Sequence, residues 1–143
     1  MWDMVLPTNT TEVIQLMSEN NIATVKEINE AFTNNNIEGF LAHCTEDLYW
    51  NMAGDSEQQG KDSIRKWMGQ MEGHEPPKFS VDAIFGDGDH VACHGEMTMK
   101  NSEGKEGKYS YCDVYTFTGD KVSELRSFVV AHKTDDKNAS ASA

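Results

Sequence analysis

The sequence predicts an α+β fold, with helices packed on one face of a curved antiparallel β-sheet. Two observations carry that prediction. Apolar residues recur at helical spacing through the first half of the chain, and they alternate through four consecutive runs in the second half. A third observation agrees: short polar or Gly-containing turns separate the alternating runs, so neighbouring strands are antiparallel hairpins, not βαβ crossovers.

Taken in order, Val13, Ile14, Leu16 and Met17 predict a short first helix within an N-terminal extension, residues 1–20. Asn21 is a suitable N-cap for a second helix carrying Ile22, Val25, Ile28, Ala31 and Phe32. Asn34-Asn35-Asn36 ends it, and Asn36 caps a short third helix with Ile37, Phe40 and Leu41. A short strand is expected near 47–52. Asp62 then caps a fourth helix with Ile64, Trp67, Met68 and Met71 on one side. Glu75-Pro76-Pro77 closes the helical region. Phe79, Val81, Ala83 and Phe85 alternate, Gly86-Asp87-Gly88-Asp89 turns, and residues 90–100, 108–118 and 121–132 complete a four-strand meander. Residues 21–132 form the domain. Residues 133–143, ending Asn-Ala-Ser-Ala-Ser-Ala, are expected to be a disordered tail.

At 143 residues the chain fits one domain large enough to fold without a metal or disulfide staple. It carries 24 Asp+Glu against 12 Lys+Arg, a net charge of −12, which argues against nucleic acid and anionic membrane surfaces as partners. Three cysteines in no CxxC spacing predict reduced thiols and a cytoplasmic location. No apolar run approaches a membrane span, and nothing reads as a signal peptide. The histidines show no metal spacing and no Gly-rich loop joins a strand to a helix, so no metal and no cofactor are expected.

Within single strands, alternation sorts the side chains. Tyr111, Asp113, Tyr115 and Phe117 share a face whose aromatic content marks it as buried, so desolvation should raise the Asp113 pKa. His94 and Glu96 share a face of the preceding strand and can pair with each other. Trp50 and Trp67 read as core. Met52, Met68, Met71, Met97 and Met99 supply adaptable packing able to line a pocket.

Three passages carry a family resemblance. They are Ile28 to Phe40 followed by Thr45-Glu46-Asp47, then Gly60-Lys61-Asp62-Ser63-Ile64, and Asp113-Val114-Tyr115-Thr116-Phe117-Thr118-Gly119-Asp120-Lys121-Val122 with Glu124-Leu125-Arg126-Ser127-Phe128. Over residues 22–132 the chain resembles the nuclear transport factor 2-like superfamily, especially its SnoaL-like (polyketide cyclase-like) and ketosteroid isomerase-like branch. The resemblance implies a cone-shaped α+β barrel around a pocket.

Asp113 matches the acidic oxyanion-hole residue of the steroid isomerases. Their pocket tyrosine falls on Ile28, and their base falls on Asn51 or Met52. Tyr49-Trp50-Asn51-Met52 is similar to a Tyr-x-Asn-Met segment of limonene epoxide hydrolases. His94 and Glu96 fall where those have an Arg and a catalytic Asp, and their second catalytic Asp falls on Ser127. SnoaL-like cyclases use a pocket Asp helped by a His, parts that Asp113 and His94 can fill.

The expectation is a pocket protein for a small, mostly apolar molecule with one polar handle. Its cofactor-free acid–base chemistry, of isomerase, cyclase or hydrolase type, would rest on Asp113, His94 and Glu96. Tyr49, Asn51, Trp67, Tyr111, Tyr115 and Phe117 would bind substrate. A non-catalytic binding or dimerisation module of the same fold is the alternative. A homodimer is expected through the outer sheet face, assigned Cys93, Met97, Met99, Cys112, Val114, Val129 and Ala131.

Overall fold

A computed structural model describes residues 9–70, 75–101 and 103–133. Residues 134–143 of the expected tail, Met71 and His74 lie outside them.

Helix α1 spans Thr10–Thr33. Asn9 caps it, its side chain accepting from the Glu12 N–H at 2.8 Å. The expected break at Asn21 does not occur. Asn21 lies buried within the helix and spends its side chain on a tertiary contact, Nδ2 donating to the Gly88 carbonyl at 3.0 Å. Ser18 Oγ accepts from the Gly88 N–H at 2.8 Å, so two polar side chains fasten the helix to one strand turn. The asparagine run ends the helix as expected. Asn35 takes the left-handed conformation at φ 54°, which asparagine tolerates, and Asn36 caps α2 (Ile37–Leu41).

Strand β1 (Cys44–Met52) is longer than expected, and a hairpin partner, β2 (Ser56–Gln59), follows it. Helix α3 covers Lys61–Gly69 and starts from Gly60. Asp62 therefore sits in its first turn, where it pairs with Arg65 at 2.7 Å. The meander follows as β3 (Lys78–Asp87), β4 (His90–Lys100), β5 (Glu106–Thr118) and β6 (Lys121–Ala131).

The sheet order is β2-β1-β6-β5-β4-β3. All neighbours are antiparallel except β1 and β6, so the sheet is mixed, six-stranded and open. The helices pack on its concave face. Val25 and Ile28 of α1, Phe40 of α2 and Ile64 of α3 are fully buried against Leu48, Val91, Tyr115 and Leu125 of the sheet.

Register decides which side chains meet. Cys93, Asp113 and Ser127 are consecutive partners across β4, β5 and β6, and so are Gly95, Tyr111 and Val129. These rows face the helices. The alternate rows, Ala92–Val114–Arg126 and His94–Cys112–Phe128, face outward.

Gly95 is required at its position. A Cβ there would overlap the Ser80 carbonyl oxygen and crowd the Tyr111 hydroxyl at 3.1 Å. The bare glycine lets Tyr111 reach across β4, and its hydroxyl donates to the Ser80 carbonyl on β3 at 2.8 Å.

Candidate functional site

The interior face places one carboxyl among aromatic rings. Asp113 lies mid-strand on β5 with Tyr111 and Tyr115 two residues to either side, both buried. By exposed area Asp113 is only half-buried, whereas its carboxyl is densely surrounded by protein. The first property belongs to the whole residue and the second to its carboxyl. The second of them governs its titration, because the carboxyl loses most of its hydration. Burial pushes its pKa up to about 6, opposed by a hydrogen bond from the Ser127 hydroxyl. The elevation expected from the sequence is therefore present, and its physical cause is desolvation.

The neighbours complete a polar row. Ser127 Oγ accepts from Trp50 Nε1–H at 2.9 Å, with both residues buried. Trp67 packs edge-on against Trp50 at 5.3 Å between ring centroids. On the other flank Asn29 Nδ2 donates to Cys93 Sγ at 3.4 Å. Burial raises the Cys93 thiol and the Tyr111 and Tyr115 phenols, so all three are neutral near pH 7. The Tyr115 hydroxyl is buried without a hydrogen-bond partner among the described residues. Met52, Met68, Met97, Phe79 and Trp67 are partly buried and pack against this core.

Several expected site residues lie elsewhere. His94 and Glu96 do not converge on Asp113. Cys93 is the residue opposite Asp113, so His94 and Glu96 carry the opposite parity and are exposed on the outer face. His94 packs against Phe85 at 6.3 Å between ring centroids. Glu96 accepts from Ser110 Oγ at 2.7 Å and lies 3.6 Å from His132 Nε2. Tyr49 and Asn51 also point away from the interior, because Trp50 between them points in. Tyr49 pairs with Glu57, a bond that raises its pKa. Phe117 follows an irregularity in the β5–β6 register and is core. Tyr111 and Tyr115 flank Asp113 on β5, and Trp67 packs against Trp50, the residue that donates to Ser127. Ser127, Trp50, Cys93 and Asn29 enter the site unexpectedly. The signal for Ser127 was its parity with the core residue Leu125 two positions earlier.

An open depression of about 440 Å³ lies at the β1–β2 hairpin, lined by Asn51, Met52, Gly54, Asp55, Ser56 and Glu57. It is away from Asp113. Met52 links the two regions, lining the depression while pairing in register with Ser127. Among the described residues no three His, Cys, Asp or Glu side chains are grouped to hold a metal ion. No described helix is long and apolar enough to cross a membrane.

Together these features define a helix-backed α+β cone with an acidic residue on its inner wall. Residues 25–125 match the SnoaL-like domain, and the chain belongs to that family within the nuclear transport factor 2-like proteins. Solved structures agree in fold. A protein from Burkholderia pseudomallei, described as nuclear transport factor 2-like and of unknown function, superposes with a TM-score of 0.70 at 20% identity, covering 76% of this chain and 88% of its own. An epoxide hydrolase of the limonene epoxide hydrolase-like type from Mycobacterium tuberculosis gives 0.70 at 17% identity, covering 78% and 84%. A proposed SnoaL-like polyketide cyclase from Jannaschia gives 0.71 at 14% identity, covering 79% and 87%. At these identities the likeness speaks to fold alone. None of the curated proteins matches in sequence.

Proposed function

We propose that this protein binds a small, mostly apolar molecule through its polar handle at Asp113 and performs cofactor-free acid–base chemistry on it. One observation carries the reading. A carboxyl buried among aromatic rings has a pKa near 6, so it exchanges protons close to neutral pH. Such a group donates a hydrogen bond to a substrate oxygen when neutral and accepts a proton when ionised. Asp113 does this without His94 or Glu96, which lie across the sheet. Met52, Met68 and Met97 are the adaptable side chains that move to admit the ligand. Single acid–base groups contribute roughly 10²–10⁴-fold to a rate. The test is a carboxyl-carbon NMR titration of Asp113 with and without apolar ketones and phenols. A midpoint near 6 that moves on ligand addition supports the reading. A midpoint at or below about 3.9 defeats it.

A second reading concerns assembly and rests on the outer face. Phe85, Phe128 and Val130 are 56%, 41% and 65% exposed there. Cys112 and Val114 share this face, while Cys93, Met97, Val129 and Ala131 have the interior parity, which corrects the composition expected from the sequence. An apolar face of this kind pairs with a second copy about a two-fold axis. Light scattering at micromolar concentration should return the dimer mass, and a monomer mass would exclude it. The thiols of Cys93 and Cys112 are free and stand on opposite faces, which suits a reducing, cytoplasmic compartment.

A further inference from the structure

The hydrogen bonds that end on Asp113 have a direction fixed by the chemistry of their members. An indole N–H only donates, so at 2.9 Å the Trp50 ring must give its hydrogen to Ser127 Oγ. A serine hydroxyl has one hydrogen of its own, and Trp50 offers nothing to accept it. That hydrogen goes to the carboxyl of Asp113, the register partner of Ser127, and this bond favours the ionised acid. The frame around the pair is rigid. Trp50 is held edge-on by Phe40 at 5.4 Å and by Trp67 at 5.3 Å. The Ser127 carbonyl is pinned by the Ala53 N–H at 2.9 Å.

We propose that Trp50 and Ser127 form a one-way hydrogen-bond relay that positions the Asp113 carboxyl and assigns its acid proton to the oxygen Ser127 does not touch. The proposal rests on the reading of Asp113 as the interior acid. Ser127 and Trp50 are positioning residues, since both act through Asp113. In the neutral acid the oxygen accepting from Ser127 is carbonyl-like, and the other oxygen carries the hydrogen. In the ionised acid the Ser127 bond strengthens, because it now ends on a charge. The relay thus opposes desolvation and fixes the oxygen from which the proton leaves.

The titratable groups facing the relay are few. Among the described residues they are Cys93 on β4 and Tyr111 and Tyr115 on β5, all buried, with pKa values raised by that burial; Cys44 on β1 acts on Tyr115. Asp82 on β3 acts on Tyr111 from a distance. Arg126 has the outer parity and pairs with Glu124 at 3.0 Å. The facing helix α1 contributes Asn29, which does not ionise and is engaged with Cys93.

The experiment is a carboxyl-carbon NMR titration of the full chain from about pH 3 to about pH 9, for wild type, Ser127→Ala, Ser127→Thr and Trp50→Phe. Ser127→Ala should raise the Asp113 midpoint by about one unit, a tenfold change in proton affinity, because a hydrogen bond to a charge is lost. Ser127→Thr keeps the hydroxyl and should restore the wild-type midpoint. Trp50→Phe should raise it by less, because the serine remains but is free to turn. One measurement needs no variant: the Trp50 indole N–H resonance should shift with the same midpoint as Asp113. A flat indole signal, or a Ser127→Ala midpoint equal to wild type, overturns the relay and leaves the acid reading standing. A wild-type midpoint at or below about 3.9 overturns the acid reading itself.

Discussion

Replacing Asp113 by Asn should stabilise the protein at neutral pH, and the gain should fade in acid. The carboxyl titrates near 6 in the folded chain against an ordinary value of 3.8. A folded-state pKa above the unfolded one means that the native state holds its proton more tightly. The resulting stabilisation is fully present below pH 3.8 and is lost as the pH rises through 6. A difference of about two units corresponds to about 3 kcal/mol, which is the full penalty for ionising Asp113 at pH 8. At pH 5 about half of it has developed. Asn has nearly the same shape, cannot ionise, and offers an oxygen to accept from Ser127. It also presents two amide hydrogens where the neutral acid has one, a cost that does not change with pH. The pH dependence of the difference is therefore the secure quantity. Urea unfolding of both proteins at pH 5 and pH 8 should show the variant gaining about 1.5 kcal/mol relative to wild type between the two. For a chain of this size the matching swing in melting temperature is about 5 °C. A difference that stays constant across this window would refute the argument, because it would mean that Asp113 is already ionised in the native state at pH 5.

Three further outcomes follow from named contacts. Tyr115→Phe removes a buried hydroxyl with no partner among the described residues, so it should be neutral or stabilising by about 1 kcal/mol in urea unfolding; a comparable loss would reveal a partner for that hydroxyl. Gly95→Ala drives a methyl into the Ser80 carbonyl and should cost about 3 kcal/mol, read from the same unfolding curves; an unchanged midpoint would show that β3 moves aside freely. If the proposed dimer forms through the outer face, Phe128→Glu should give a monomer mass in light scattering with the circular dichroism spectrum unchanged; a dimer mass for the variant would place the interface elsewhere.

The meander was legible because period-two alternation survives in the sequence of each strand and the turns between strands are short. The break expected at Asn21 fails for a physical reason. A polar residue in a helical run reads locally as a cap, while here the Gly88 turn, 67 residues away, takes up its side chain. The site was half legible in the same sense. Alternation gives the phase of each strand, so Asp113 was correctly grouped with Tyr111 and Tyr115. It does not give the relative phase of two strands, which depends on where the hairpin closes. The register in which β4 and β5 pair, from Lys100 opposite Glu106 onward, sets Asp113 opposite Cys93, and that one-residue difference carries His94 and Glu96 to the other side of the sheet.

That same register explains how the chain retains an interior carboxyl at all. Ser127 is the polar residue on β6 that faces Asp113, where a second carboxylate is the alternative polar choice. Two interior acids would raise each other's pKa and would need a nearby cation. An interior hydroxyl oriented by an indole supplies one donor and no charge. Burial alone would hold Asp113 neutral to still higher pH, and the Ser127 bond draws its midpoint back towards neutrality. A serine rather than a second acid opposite Asp113 thus leaves one carboxyl poised to gain or lose a proton, in a layer of the described residues otherwise rich in aromatic rings and methionines.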